Sequence, residues 1–132
     1  MSTVLIVEDN DKNMKLARDV LQAKGYQTLE AETGEEGVRL AKEKVPDLVL
    51  MDIQLPGING IEAFRQIRAD PKTARIPVVA LTASVTPTDR SQITAAGFDA
   101  FVGKPIEAVR LYETLQMAVD GAGRPDADAA VA

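Results

Sequence analysis

The chain contains no cysteine and no histidine. Without cysteine, disulfides and thiolate metal sites are excluded, and a reducing cytosol is in keeping with that composition. The missing histidine excludes more: Ser-His-Asp triads, histidine-ligated zinc and any phosphohistidine of the chain's own. Chemistry is left to carboxylates, hydroxyls, lysines or a hard metal ion. Aromatics are scarce, two tyrosines and three phenylalanines, so few are on hand to fill a core. Basic residues number 15 against 20 acidic ones, a net charge of -5, and no basic tract stands out. That balance argues against nucleic acid or an anionic membrane as a non-specific partner. No apolar run approaches the ~20 residues of a membrane span, and the N-terminus has no h-region.

What is present fits one globular domain. The 132 residues are 45% hydrophobic and 27% charged, long enough for a single core. Two continuous apolar runs stand out, Val4 to Val7 and Leu48 to Met51. Such runs, bounded by turn residues, are the pattern of strands covered on both faces of a parallel sheet. The first ends in Glu8-Asp9-Asn10, the second in Asp52 and a loop punctuated by proline and glycine. In open α/β sheets ligands bind at the carboxyl ends of the strands, so acids there are candidates for chemistry.

The remaining elements follow in order. Asp9, Asn10 or Asp11 can cap a helix with Met14, Ala17, Val20, Leu21 and Lys24 at three-to-four spacing, stopping at Gly25. Tyr26 to Ala31 mixes polar and apolar residues as an edge strand does. Thr33 with Glu36 forms a capping-box pattern for a helix lined by Val38, Ala41 and Val45. Asn59 or Gly60 opens a third helix, with Ile61, Phe64, Ile67 and Arg68 on one side, closed by Pro71. Ile76 to Leu81 is a fourth strand, Pro87 and Gly97 bracket a fourth helix, and Phe98 to Val102 is a short fifth strand. A last helix from Ile106 to about Val119 has Val109, Tyr112, Leu115, Gln116 and Val119 as its expected inner stripe. Alternation of five strands and five helices predicts an α/β, doubly wound (βα)5 fold with right-handed crossovers. The domain is expected over residues 1–119, with a disordered tail at 120–132.

Glu8, Asp9 and Asp52 should therefore meet at one end of the sheet. Singly, each acid is explained as a helix cap or a strand end. Together they repel, and a hard divalent cation such as Mg2+ resolves the conflict with oxygen ligands. Asp9 and Asp52 are the expected direct ligands, Glu8 acts through a bridging water, and the carbonyl of Gln54 completes the set. Thr82 ends the fourth strand, where a β-branched residue or a helix-capping hydroxyl is ordinary. Lys104, usually a solvated residue type, ends the fifth beside Pro105, which can aim the backbone through a trans or a cis bond. Both stand where they can meet an anion on Asp52. Phe101 reads equally well as plain core. A carboxylate nucleophile, a divalent metal, a lysine and a hydroxyl around one point are the parts for phosphoryl transfer to aspartate.

Glu8-Asp9, Asp52 followed by Gln-Leu-Pro-Gly and Gly60, the Pro77 to Ala83 stretch and Lys104-Pro105 resemble the CheY-like receiver domain of two-component response regulators. The resemblance spans residues 3 to about 119. It implies a flavodoxin-like sheet of strand order 2-1-3-4-5, Asp52 as phosphoacceptor, Glu8 and Asp9 as the acidic pair for Mg2+, Thr82 as switch hydroxyl, Lys104 as phosphoryl partner and Phe101 as switch aromatic. The family often has tyrosine at that last position. VLIVEDNDKNMKL, DLVLMDIQLPGINGIE and IPVVALTA are similar more narrowly to single-domain cell-cycle regulators of the DivK type. These imply a cytoplasmic phosphorelay protein whose partners are a histidine kinase or histidine phosphotransfer protein and a downstream target. Donor docking is expected around Asn13, Met14 and Ala17.

Two other readings compete. Haloacid-dehalogenase-type phosphatases also use an aspartyl nucleophile with Mg2+, but carry a second acid two positions on, where this chain has Gln54. A receiver cut from a larger regulator with an output domain would present the same sequence.

Overall fold

Val4 to Val7 and Leu48 to Met51 are fully buried and lie side by side, as their unbroken apolar character predicts. They belong to a five-stranded parallel sheet in the order β2-β1-β3-β4-β5. In the computed structural model, which describes residues 3–55, 57–82, 87–104 and 108–122, the strands are β1 (Thr3–Val7), β2 (Gln27–Ala31), β3 (Leu48–Asp52), β4 (Val78–Thr82) and β5 (Ala100–Gly103). The helices are α1 (Asp11–Ala23), α2 (Gly34–Lys44), α3 (Gly60–Ala69), α4 (Pro87–Ala96) and α5 (Ala108–Ala122). The order reverses between β1 and β3, so a crevice opens at their carboxyl ends.

Strand pleating divides the core in two. Val4, Ile6, Leu48, Leu50, Val79, Leu81 and Val102 pack against Met14, Ala17 and Leu21 of α1 and Leu111 and Leu115 of α5. Leu5, Val7, Val49, Met51, Val78 and Ala80 pack against Val38 and Ala41 of α2, Ala63, Phe64 and Ile67 of α3 and Ile93 of α4. Each buried Leu, Ile or Val contributes about 1.5–3 kcal/mol, so neither layer is dispensable.

Local signals set the helix starts. Asn10 caps α1, its side chain accepting from Lys12 N at 3.0 Å and Asn13 N at 3.1 Å. Thr33 caps α2 and Asn59 caps α3, each accepting from the backbone N–H three residues on.

Several expected inner positions are corrected. Lys24 is the C-cap of α1 and exposed. Val45 is the left-handed C-cap of α2, at φ 45°, and half of its side chain faces solvent. Pro46 bars helical continuation there, and the turn swings the side chain out. In α5 the i, i+4 pair Leu111 and Leu115 faces the sheet, which rotates Val109 outward to 70% exposure and leaves Tyr112 and Gln116 half-buried. The side chain of Val119 lies outside the described residues. Helix α5 also runs to Ala122, so residues 120–122 belong to it and not to a tail. The rest of the expected tail lies outside the described residues, as do Pro105 and its peptide bond.

At the amino end of the sheet the Arg68 guanidinium donates to the carbonyls of Ala74 and Ile76 and to Asp99 Oδ2 at 2.7 Å. The same Asp99 oxygen accepts from Val78 N at 2.7 Å. Arg68 lies over the Phe64 ring, which stacks on Phe98 at 4.2 Å between centroids. This knot ties α3 to the starts of β4 and β5.

Candidate functional site

The three acids do converge. Glu8, Asp9 and Asp52 each offer a carboxylate oxygen, and these oxygens lie within 4.8 Å of one another. Glu8 follows β1 and Asp52 closes β3, and both are almost fully buried, whereas Asp9 is exposed. Because Asn10 takes the capping role, the Asp9 carboxylate is not spent on α1. Glu8 Oε2 accepts from Asn10 N at 3.1 Å, and Asp52 Oδ1 from Gln54 N at 3.0 Å.

Lys104 sits among them. Its Nζ donates to Asp52 Oδ2 at 2.9 Å and lies 3.0 Å from Glu8 Oε1. The second contact is a charge pairing without hydrogen-bond alignment, so the buried Glu8 Oε1 has no hydrogen-bond partner among the described residues. Burial, and then the hydrogen bond to Asp52, push the Glu8 carboxyl above its usual range, against the lowering effect of Asn10 N and Lys104. For Lys104 burial disfavours the ammonium, but its hydrogen bond to Asp52 and its charge pairing with Glu8 outweigh burial and raise its pKa.

Strand register sorts the remaining residues. Lys104 has the parity of Val102 and Leu50, whose layer is that of α1 and α5. Its backbone N donates to Thr82 O at 2.9 Å, which holds the β5 end beside β4. Thr82 is buried at the end of β4 with the parity of Val78 and Ala80. Phe101 pairs with Ala80 and packs, half-buried, on that same layer.

Two features go beyond the expectations drawn from the residues alone. Lys104 reaches Glu8 as well as Asp52. Gly60 is required at its position, since a Cβ there would lie 2.2 Å from the Asp52 carbonyl oxygen and 2.8 Å from Ile53 Cα. The glycine lets the start of α3 close on the site through Gly60 N to Ile53 O at 2.9 Å. Its signal was visible as the second glycine of Gly57-Ile-Asn-Gly60, but its purpose needs the packing. Gln54 is exposed, with its backbone N on Asp52.

A family model for the response regulator receiver domain matches residues 4–116, and the chain belongs to that family. Within it, the polar-differentiation response regulator DivK of Brucella ovis is 44% identical over 114 residues, 86% of this chain and 93% of that protein. DivK of Brucella anthropi aligns equally well, also at 44% over 114 residues. Among solved structures, the receiver domain of a sensor histidine kinase from Pseudomonas aeruginosa PAO1 matches with TM-score 0.84 and 34% identity over 90% of this chain and 98% of that one. It is described with a magnesium ion coordinated in its active-site cleft. A chemotaxis response regulator from Vibrio cholerae matches with TM-score 0.85 and 26% identity, over 89% of this chain and 98% of that one. The chain is thus a receiver domain homologous to the DivK response regulators. None of its described helices is long and apolar enough to cross a membrane.

Proposed function

We propose that Asp52 accepts a phosphoryl group from a histidine of a partner kinase or phosphotransfer protein, and that the modified domain signals by binding a downstream target. The observation that carries this reading is a buried carboxylate at the end of a central strand, held by Lys104 at 2.9 Å and by Gln54 N at 3.0 Å, beside two further acids. Glu8, Asp9 and Asp52 would hold Mg2+, with the Gln54 carbonyl as a further ligand; the bound ion would neutralise charge on the transferring group. A carboxylate oxygen of Asp52 attacks the phosphorus of the donor phosphoimidazole, the P–N bond breaks, and the imidazole leaves with the electron pair and takes up a proton from solvent. Lys104 follows the charge from carboxylate to phosphoryl oxygen, and the ammonium, kept protonated by its two acidic neighbours, needs no proton transfer to do so.

The new dianion draws the Thr82 hydroxyl as a hydrogen-bond donor, and Phe101, on the same layer, follows it. The surface of α4, β5 and α5 is then the readout. The chemistry is limited to the domain's own phosphorylation and dephosphorylation, without turnover of an external substrate. Similarity to DivK supports a phosphorelay in cell-cycle or polar-differentiation control, with a cytoplasmic location.

Incubation with Mg2+ and a small acyl phosphate, followed by mapping of the modified residue, is expected to place one phosphoryl group on Asp52 and none on Asp52→Asn. Equal modification of that variant sinks the assignment. Repeated turnover of generic phosphomonoesters would favour the phosphatase reading.

A further inference from the structure

The turn that brings α3 onto the site contains a chemically labile step. The chain has three asparagines, Asn10, Asn13 and Asn59, and Asn59 alone precedes a glycine. An asparagine side-chain amide is open to attack by the next residue's backbone nitrogen, and a glycine there has no Cβ to hinder the approach. Asn59 is exposed, so water reaches it. Two native contacts hold the attack off. Asn59 Oδ1 accepts from Glu62 N at 2.9 Å, which aims the amide along the first turn of α3, and Gly60 N donates to Ile53 O at 2.9 Å, which engages the proton that this nitrogen must lose. Asn10 caps α1 in the same way, accepting from Lys12 N and Asn13 N, but Asp11 follows it.

We infer that the Asn59–Gly60 peptide is a self-modification site, restrained by the native start of α3, whose isoaspartyl product disables the phosphoryl site. When the first turn of α3 opens locally, both contacts are lost together. Gly60 N gives up its proton to solvent base and bonds to Asn59 Cγ; the Cγ–Nδ2 bond breaks, and the amide nitrogen leaves as ammonia with a proton from water. Water then opens the cyclic imide at either carbonyl. Opening at one gives aspartate, whose carboxylate can still accept from Glu62 N and cap the helix. Opening at the other gives isoaspartate, in which the main chain runs through the former side chain and is one carbon longer. The packing around Gly60 has no room for this change, since even a Cβ there would lie 2.2 Å from Asp52 O and 2.8 Å from Ile53 Cα. The longer chain cannot keep Gly60 N on Ile53 O, and the displacement falls on the Asp52 to Gln54 segment that holds the carboxylate. This last step rests on Asp52 as the phosphoacceptor.

Ageing the full chain in warm, mildly alkaline buffer, folded and in urea, tests it. Asp52 and Asn59 share the tryptic segment Val45 to Arg65, so both modifications are read on the same peptide. In urea Asn59 should convert at least about tenfold faster than Asn10 or Asn13, and folding should slow Asn59 about tenfold or more without stopping it. When the aged folded chain is given Mg2+ and a small acyl phosphate, isoaspartyl molecules should take up phosphoryl at least about tenfold more slowly than unmodified ones. Asn59→Ser keeps a capping hydroxyl and lacks the amide, so it should retain its uptake through ageing. Conversion of Asn59 no faster than of Asn10 in urea, equal rates with and without urea, no conversion in the folded chain, or undiminished uptake by isoaspartyl molecules overturns the proposal. Mapping at Asn59 does not involve Asp52, so a failure of the modification and a failure of the phosphoacceptor reading give different results.

Discussion

The two ends of the sheet each hold a cation against carboxylates, with opposite outcomes. At the amino end Arg68 meets one acid, Asp99, and two backbone carbonyls, and Asp99 also takes Val78 N. Every charge there is balanced and the aromatic pair Phe64–Phe98 seals it. At the carboxyl end one lysine pairs with Glu8 and Asp52 while Asp9 adds a third acid, and the buried Glu8 Oε1 has no hydrogen bond among the described residues. The first arrangement stabilises the fold. The second keeps negative charge in excess, which costs stability and suits the cluster to a cation.

The comparison breaks most readily at the amino end. Asp99→Ala strands a partly buried guanidinium and should cost about 2–3 kcal/mol in denaturant unfolding, with phosphate incorporation on the remaining folded protein unchanged. A loss below about 0.5 kcal/mol would mean that the knot is no more than a surface pair. At the carboxyl end the sign should reverse. Asp9→Asn relieves repulsion without giving up any hydrogen bond of Asp52, so metal-free stability should rise by about 0.5 kcal/mol while stabilisation by added Mg2+ is lost. Asp52→Asn also relieves repulsion but forfeits the Lys104 pairing, so Asp9→Asn is the cleaner probe. A lower metal-free melting temperature for Asp9→Asn would contradict an excess of negative charge.

The smallest effect is in pH. The folded pKa of Glu8 is raised by burial, so the folded state binds the proton more tightly than the unfolded chain. The stability this contributes is present below the unfolded carboxyl pKa and is lost as pH rises from there through the folded value. Metal-free melting should therefore drop slightly across that mildly acidic window, and Glu8→Gln should flatten the drop. An unchanged slope in that variant would assign it to another group.

Much of this was legible in the residues because it depends on local period and punctuation. Unbroken runs marked β1 and β3 as central, and Thr33 and Asn59 marked the helices they cap. The site residues were legible for a related reason. In a parallel sheet every strand ends at the same side, so acids after Val7 and at the end of Leu48–Asp52 and a lysine after Val102 must meet there. Of the inner stripe expected for α5, Leu115 is buried while Val109 faces solvent, because two apolar stripes share that helix and spacing does not say which one the sheet takes. Leu111 and Leu115, which have no polar atom to satisfy, are buried with Val102 and Leu81, whereas Tyr112 and Gln116 carry polar ends and stay half-buried.

By itself the sequence determined the fold class, the order of elements and which polar residues stand at the carboxyl ends of the strands, since these follow from hydrophobic period and from strand ends. Only the tertiary structure decided how charge is shared among them. Lys104 touches Glu8 as well as Asp52, Asn10 frees Asp9 from capping, and Phe101 packs on the layer of α2, α3 and α4. Those relations depend on distances of a few ångströms between residues far apart in the chain, and Coulomb energy and hydrogen-bond direction are settled at that scale.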